Sequence, residues 1–290
     1  MPQHRPQPPR TDRASALQRR PRRDTDRPGG LWLYGTHAVL AAVANPERRV
    51  RRLLAAEPAL ARLQTAAAGA AAPRPVVEAA DRRGLEALLA QGAVHQGMAA
   101  LVEPLPELAL EDLLERVKDD GRARLVVLDQ ATDPRNVGAV VRSAAAFAAA
   151  AVVSQDRHAP AATGALAKAA AGGLERVPLV GVVNLARALG TLKDAGFWCV
   201  GLDAEARTTL AASLPDGRVA LVLGSEGHGL RRLVRESCDT LARIPIDPAT
   251  GSLNLSAAAA IGLYELARND EAKPHRSETA PGTTPGAKTG

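Results

Sequence analysis

The stretch Val219-Ala220-Leu221-Val222-Leu223-Gly224-Ser225-Glu226-Gly227-His228-Gly229-Leu230 decides how this chain reads. Its first five residues form an apolar run of the length of a buried strand. Gly224, Gly227 and Gly229 follow, and glycines at that density let the backbone turn sharply and approach a ligand closely. The obvious reading is a phosphate cradle, and the residues argue against it. A P-loop needs Lys and then Ser or Thr after its last glycine, whereas Leu230 and Arg231 follow here. The glycine order is G-x-x-G-x-G, not the G-x-G-x-x-G of a dinucleotide site, and Glu226 would repel a phosphate. The loop suits a ligand with hydrogen-bond donors or a positive centre.

Two further loops share this design. Asp133-Pro134-Arg135-Asn136-Val137-Gly138 follows a strand-like run at residues 125–128, and Arg142 lies six residues beyond Asn136. Gly251-Ser252-Leu253-Asn254-Leu255-Ser256 follows a run at 241–246 and leads into Ala257 to Ala260. Each opens a helix, and three such loops can converge at one end of a parallel sheet, where open α/β folds bind ligands. Taken singly, each residue has a plainer reading. Asn136, Ser252 and Asn254 are capping types, Glu226 suits a solvated turn, and Arg142 suits a helix surface.

At 290 residues with 46% hydrophobic content, the chain has material for one large or two modest domains. No apolar run reaches membrane-spanning length without a charge or a turn signal. The N-terminus is rich in Arg and Pro and lacks the apolar core of a secretory signal. Cys199 and Cys238 form no metal-ligand spacing, and read as reduced, buried thiols of a cytoplasmic protein. Of the net charge of +6, residues 1–30 hold 8 − 3 = +5 from eight arginines and three aspartates. A basic tail on a near-neutral body points to a polyanion such as RNA; a solvated tail with no partner is the alternative. Aromatics make up only 2% of the chain, too few for a single-strand stacking platform.

In order, residues 1–30 read as disordered and 31–103 as a small α/β domain. Its strands are expected at 32–34, 50–55, 75–77 and 98–102. Its helices are expected at 37–45 with Thr36 as N-cap, at 58–68, and from the Asp81 cap to Leu89. Residues 104–120 read as a linker with a short helix at 110–118. Residues 121–269 form a second α/β unit, with strands at 125–128, 151–154, 179–182, 197–201, 220–223 and 241–244. A helix at 184–195 is closed by Gly196, and a final helix spans 256–268. Trp198 is expected in the core. Residues 270–290 read as disordered.

At the three loops the second unit resembles the SpoU (TrmH) branch of the knotted SPOUT methyltransferases, which methylate ribose 2′-hydroxyls in RNA. Asn136-Val137-Gly138 with Arg142, Leu223-Gly224-Ser225-Glu226-Gly227, and Ile244-Pro245 followed by Ser252-Leu253-Asn254-Leu255-Ser256 are similar to its three motifs, in order and spacing. The first unit resembles the ribosomal-protein-like RNA-binding domain of the 23S rRNA guanosine 2′-O-methyltransferases. Ala93-Val94-His95-Gln96-Gly97, Asp156-Arg157 and Asn184-Leu185-Ala186-Arg187 are most similar to that subgroup.

The resemblance implies a C-terminal trefoil-knotted parallel-sheet domain, although threaded chains are very rare. It implies S-adenosylmethionine as cofactor, 23S rRNA or its precursor as substrate, a homodimer, and no metal. The catalytic set it implies is Asn136, Arg142, Glu226, Ser252 and Asn254. The cofactor set is Leu223, Gly224, Ile244, Leu253 and Ser256. His95 and Arg142 are RNA-contact candidates, and His95 reads equally well as a structural histidine. The family gives Arg142 the task of activating the hydroxyl. Because arginine stays protonated, the physical reading is narrower: Arg142 orients the hydroxyl and an adjacent phosphate, whose oxygen is there to take the proton. Two alternatives remain: another rRNA nucleotide or a tRNA as target, and a non-catalytic RNA-binding assembly factor.

Overall fold

The computed structural model describes residues 30–156, 163–247, 249 and 251–272. The expectations for residues 1–29, for Arg157 and for 273–290 lie outside the described residues.

The first sheet contains β1 (Leu31–Tyr34), β2 (Val50–Ala55), β3 (Val77–Ala79) and β4 (Met98–Val102), in the order β1-β4-β2-β3. β4 pairs antiparallel with β1 and β2, and β3 pairs parallel with β2. Helices α1 (Thr36–Ala44) and α2 (Ala59–Ala68) cover one face through Val39, Val43 and Leu63. Helix α3 (Arg82–Leu88) covers the other through Leu85, and Asp81 caps it by accepting from the Gly84 N–H at 2.7 Å.

Two expectations are corrected in this unit. Thr36 is not the N-cap. Gly35 holds that position at φ +90°, where a side chain is strained, and the Thr36 N–H donates to Gln96 Oε1 at 3.1 Å. The third strand lies two residues later than expected, because it is the register with β2 that defines it.

The second sheet has seven strands, all parallel. They are β5 (Arg124–Leu128), β6 (Ala151–Gln155), β7 (Leu179–Val182), β8 (Trp198–Leu202), β9 (Thr208–Thr209), β10 (Val219–Leu223) and β11 (Thr240–Arg243). Their order is β7-β6-β5-β10-β8-β11-β9. Alternate residues face opposite sides of such a sheet, and both sides here are buried, as parallel sheets require. Val126, Leu128, Leu221 and Leu223 face α5 (Pro134–Ala146), α6 (Gly164–Ala170) and α10 (Leu255–Ala272). Leu125, Val127, Ala220 and Val222 face α4 (Leu110–Arg116), α7 (Leu185–Asp194) and α9 (Arg232–Ser237). A one-turn helix, α8 (Leu210–Ser213), follows β9.

Three further readings change. Leu108, Leu110, Leu113 and Val117 belong to the core of the second sheet, so much of the expected linker is packing of the second unit. Trp198 is 43% exposed at the first position of β8, and its neighbour Phe197 is buried in its place. Helix α10 continues past Arg268 because its last turn is tied down: Arg124 grips Asp270 at 2.5 Å, and Asn269 donates to the Pro215 carbonyl. β9 and α8 were not foreseen; a two-residue strand carries no periodicity to read.

The units pack on one another. Ala167 and Leu174, from the second, enter the core of the first. Glu175, in a 3-10 turn after α6, accepts from Arg48 at 2.7 Å, with both side chains at least 94% buried, and from Asn45 at 2.8 Å.

Candidate active site

β10 lies between β5 and β8, and the loops that leave β5, β10 and β11 meet at their C-terminal ends. This is a switch point, because the chain runs outward from β5 through β6 to β7 before crossing to the other side. The β10 loop is tightly folded. Ser225 and Gly229 exchange backbone hydrogen bonds at 3.2 and 3.0 Å. A Cβ on Gly224 would lie 2.0 Å from the Gly229 carbonyl carbon, and Gly227 has φ +83°.

This turn presents Glu226 to the two other loops. Its Oε1 accepts from Asn136 Nδ2 at 2.7 Å, from Asn254 Nδ2 at 2.7 Å and from the Leu255 N–H at 3.3 Å. Asn254 Nδ2 also reaches Asn136 Oδ1 at 3.2 Å. A carboxylate at the first amide of the 18-residue α10 is favoured by the helix dipole as well. Oε2 has no partner among the described residues. Asn136 is held there by Asp133, which caps α5 by accepting from the Arg135 N–H at 2.8 Å. Asn136 is therefore a first-turn residue and not the cap. Asn254 both joins the cluster and caps: its Oδ1 accepts from the Ser256 N–H at 2.9 Å and the Ser256 hydroxyl at 2.6 Å.

Beside this cluster is a cavity of about 420 Å³, lined by both glycine-loop backbone and apolar side chains. Leu223, Gly224, Ile244, Ser252 and Leu253 line it, as does Glu226; Ser256 does not. Asp203, Glu205 and Glu226 face it, against one guanidinium, Arg235, which is paired with Asp203 at 3.1 Å. An apolar floor, open backbone groups and surplus negative charge suit a ligand with a flat apolar part and a positive centre. S-adenosylmethionine has those features. Among the described residues no cluster of three or more His, Cys, Asp or Glu could hold a metal.

Arg142 stands apart. It is exposed on α5 and makes no hydrogen bond or ion pair among the described residues. Six residues of helix turn it about 240° from Asn136, so it does not join Asn136 and Glu226. His95 is buried beside α3, its Nδ1 accepting from the Gly97 N–H at 3.1 Å.

The sequence reading missed a second network. Asp129, 1% exposed, directly follows β5 and accepts from the Arg231 N–H at 2.9 Å and from its Nε at 2.7 Å. Arg231 also donates to Gln155 Oε1 at 2.8 Å. It therefore locks the start of the Asn136 loop to the end of the Glu226 loop. The signal was present, since a carboxylate directly after an apolar strand must be paired if buried. The cavity acids Asp203 and Glu205 had no comparable mark.

The SpoU rRNA methylase family profile matches residues 123–264, and a profile for RNA 2′-O ribose methyltransferase substrate binding matches 32–108. A relative from Pseudomonas syringae, named 23S rRNA (guanosine-2′-O-)-methyltransferase RlmB, is 41% identical over 246 residues, 83% of this chain and 96% of its own. The protein of the same name from Pseudomonas aeruginosa is 43% identical over 244 residues, 81% of this chain and 95% of its own. An uncharacterized tRNA/rRNA methyltransferase of Synechocystis is 41% identical over 239 residues, and there the chain spans only 62% of the relative's length. The crystal structure of the SpoU methyltransferase AviRb from Streptomyces viridochromogenes, in complex with AdoMet, shares the fold. Its TM-score is 0.67 at 24% identity, over 83% of this chain and 90% of that one.

Proposed function

This chain belongs to the SpoU rRNA methylase family, and from that premise we propose that it transfers a methyl group from S-adenosylmethionine to a ribose 2′-hydroxyl of RNA, a guanosine of 23S rRNA. The observation that carries the reading is the Asn136–Glu226–Asn254 cluster at the mouth of an acidic, apolar-floored cavity. The cofactor supplies an electrophilic methyl on a cationic sulfonium. Backbone at Gly224 and side chains of Leu223, Ile244 and Leu253 hold its body, and Glu226, Asp203 and Glu205 favour its charge. The two asparagines hold Glu226 in one rotamer, so that Oε2 is an aimed acceptor. Ser252, exposed at the rim, is placed to meet the target nucleotide. Ser256 serves through Asn254 and does not touch the cofactor.

Arg142 acts in this reading from a second copy of the chain. It lies on the exposed side of α5, which packs on α10, and α10 exposes Ile261 and Tyr264. Those apolar residues support a homodimer face, and a dimer presents Arg142 to the partner's cavity. There its planar fork grips a phosphate beside the 2′-hydroxyl, and a phosphate oxygen takes the proton. The reading also includes the family's trefoil knot, supported by the loops after β10 and β11 lying against each other at Glu226 and Leu255. The domains divide near residue 104. No described helix is long and apolar enough to cross a membrane, and the reduced thiols suit the cytoplasm.

The experiment maps 2′-O-methylation across rRNA and tRNA in cells with and without the gene, and repeats it with purified protein and labelled cofactor. Loss of one 23S guanosine methyl group, restored in vitro, is expected. Loss of a tRNA or other rRNA methyl would move the substrate. No loss, with RNA binding intact, would make the chain a non-catalytic assembly factor.

A further inference from the structure

We propose that a second cavity, in the substrate-binding unit and walled by Glu57, Arg82, Leu89, Gln91, Val94 and His95, holds one unpaired nucleobase of the RNA, distinct from the nucleotide that is methylated. The cavity measures about 740 Å³ and lies between α3, the residues after β2, and the loop leading into β4. Ligand pockets commonly have volumes of about 300 to 1,000 Å³. The proposal rests on the RNA methyltransferase reading and adds what the first unit recognises.

The inner wall is His95, only 8% exposed. Its Nδ1 accepts from the Gly97 N–H at 3.1 Å, so in the neutral ring the proton sits on Nε2. That Nε2–H has no protein partner among the described residues and is not sealed from solvent, so an acceptor on a ligand in the cavity can meet it. Glu57 likewise makes no side-chain hydrogen bond or ion pair among the described residues. The other polar groups are already committed: Arg82 to Glu86 at 2.8 Å, and Gln96 Oε1 to the Thr36 N–H at 3.1 Å. What remains open is the outer donor of His95, one carboxylate, the Gln91 amide, and the apolar surface of Leu89 and of Val94, itself 64% exposed.

Charge chooses among ligands. Glu57 and Glu86 outnumber Arg82, whose exposed side chain already shares one N–H with Glu86, so the lining carries surplus negative charge and disfavours a phosphate. An unpaired base offers apolar faces and an edge carrying both donors and acceptors, the surface that single-stranded RNA presents to proteins. The rim is also fixed relative to the first cavity. Lys168 of α6 donates to the Val94 carbonyl, so this loop is pinned by the methyltransferase unit. A base seated here would set the distance from that nucleotide to the reacting ribose.

The test uses the full-length protein and the 23S rRNA fragment it binds most tightly. His95→Asn keeps an acceptor where Nδ1 stood and removes the outer donor; Val94→Ser removes the apolar wall at an exposed site. Each is expected to weaken RNA binding about tenfold and to raise KM for RNA, with kcat at saturating RNA, cofactor affinity and melting temperature unchanged. Single abasic substitutions along the fragment should then reveal one position whose loss weakens wild-type binding but adds nothing to His95→Asn. Unchanged RNA affinity in both folded variants, or additive effects at every abasic position, would overturn the proposal. Affinity is read without methyl transfer, so a wild-type protein that methylated no RNA would sink the functional reading alone and leave this measurement to decide the cavity.

Discussion

Glu226 takes three hydrogen bonds on one oxygen, whereas Arg142, only six residues from Asn136 in sequence, takes none among the described residues. This division predicts separate phenotypes. Arg142→Ala should leave cofactor affinity and fold intact, because alanine is a good helix former at an exposed position. Single-turnover methyl transfer should fall by roughly two to four orders of magnitude, as for loss of a proton-transfer group. Arg142→Lys should rescue poorly, since an ammonium lacks the planar fork. Mixing inactive Arg142→Ala and Glu226→Ala proteins should restore about a quarter of wild-type activity if each site takes its arginine from the partner of a two-fold dimer; no recovery would return Arg142 to its own subunit. The cysteines give a pH prediction. Burial first, and then the nearby Asp239 carboxylate, push the Cys199 and Cys238 thiols up to about 12. A thiol raised on folding contributes stability fully present below its unfolded value, near 9, and lost as pH climbs toward 12. Denaturant midpoints should hold from pH 7 to 8 and fall above 9. A thiol reagent at pH 8 should label the native protein far more slowly than the unfolded one.

At the scale of elements, α5 and α6 touch at Gly138. A Cβ there would sit 2.5 Å from the Leu166 carbonyl oxygen and 2.7 Å from Ala169 Cβ. The glycine of this motif is thus a packing requirement in a helix, not a turn residue. Gly138→Ala gains helix propensity and still should destabilise by about 1–3 kcal/mol, because backbone must move to admit the methyl group. Thermal denaturation checks the sign; a stabilised variant would show that the helices separate freely. The same contact keeps the first turn of α5, and hence Asn136, at fixed depth against Glu226.

At the scale of the molecule, the two units are joined by a buried ion pair as well as by chain. Glu175→Ala would leave Arg48 buried beside the Glu103 carbonyl with no carboxylate, a loss of about 3–5 kcal/mol for such pairs. Cofactor binding at the distant cavity should persist, while RNA methylation loses efficiency through KM. Calorimetry with the cofactor and steady-state methylation kinetics on this variant check the two parts. Fragment boundaries follow as well. A methyltransferase fragment beginning at residue 121 would discard Leu110 and Leu113 from its own core and should aggregate, whereas one beginning near residue 105 keeps them.

By itself the sequence determined the parallel sheet and the three polar loops, because apolar runs, glycine spacing and capping residues are local patterns that declare themselves without neighbours; the family came from the resemblance of those three motifs. The resemblance also grouped Asn136, Glu226 and Asn254, and the structure brings them together because the loops after β5, β10 and β11 leave the same end of the sheet. Only the tertiary structure decided that α4 belongs to the second sheet, that Trp198 faces outward and Phe197 inward, that Asp129 and Arg231 lock two loops, and that Arg142 turns away from the cluster it was grouped with. Each of these depends on which surface a side chain meets after strands from distant parts of the chain have paired. Helical phase and sheet register set that surface, and spacing along the chain does not.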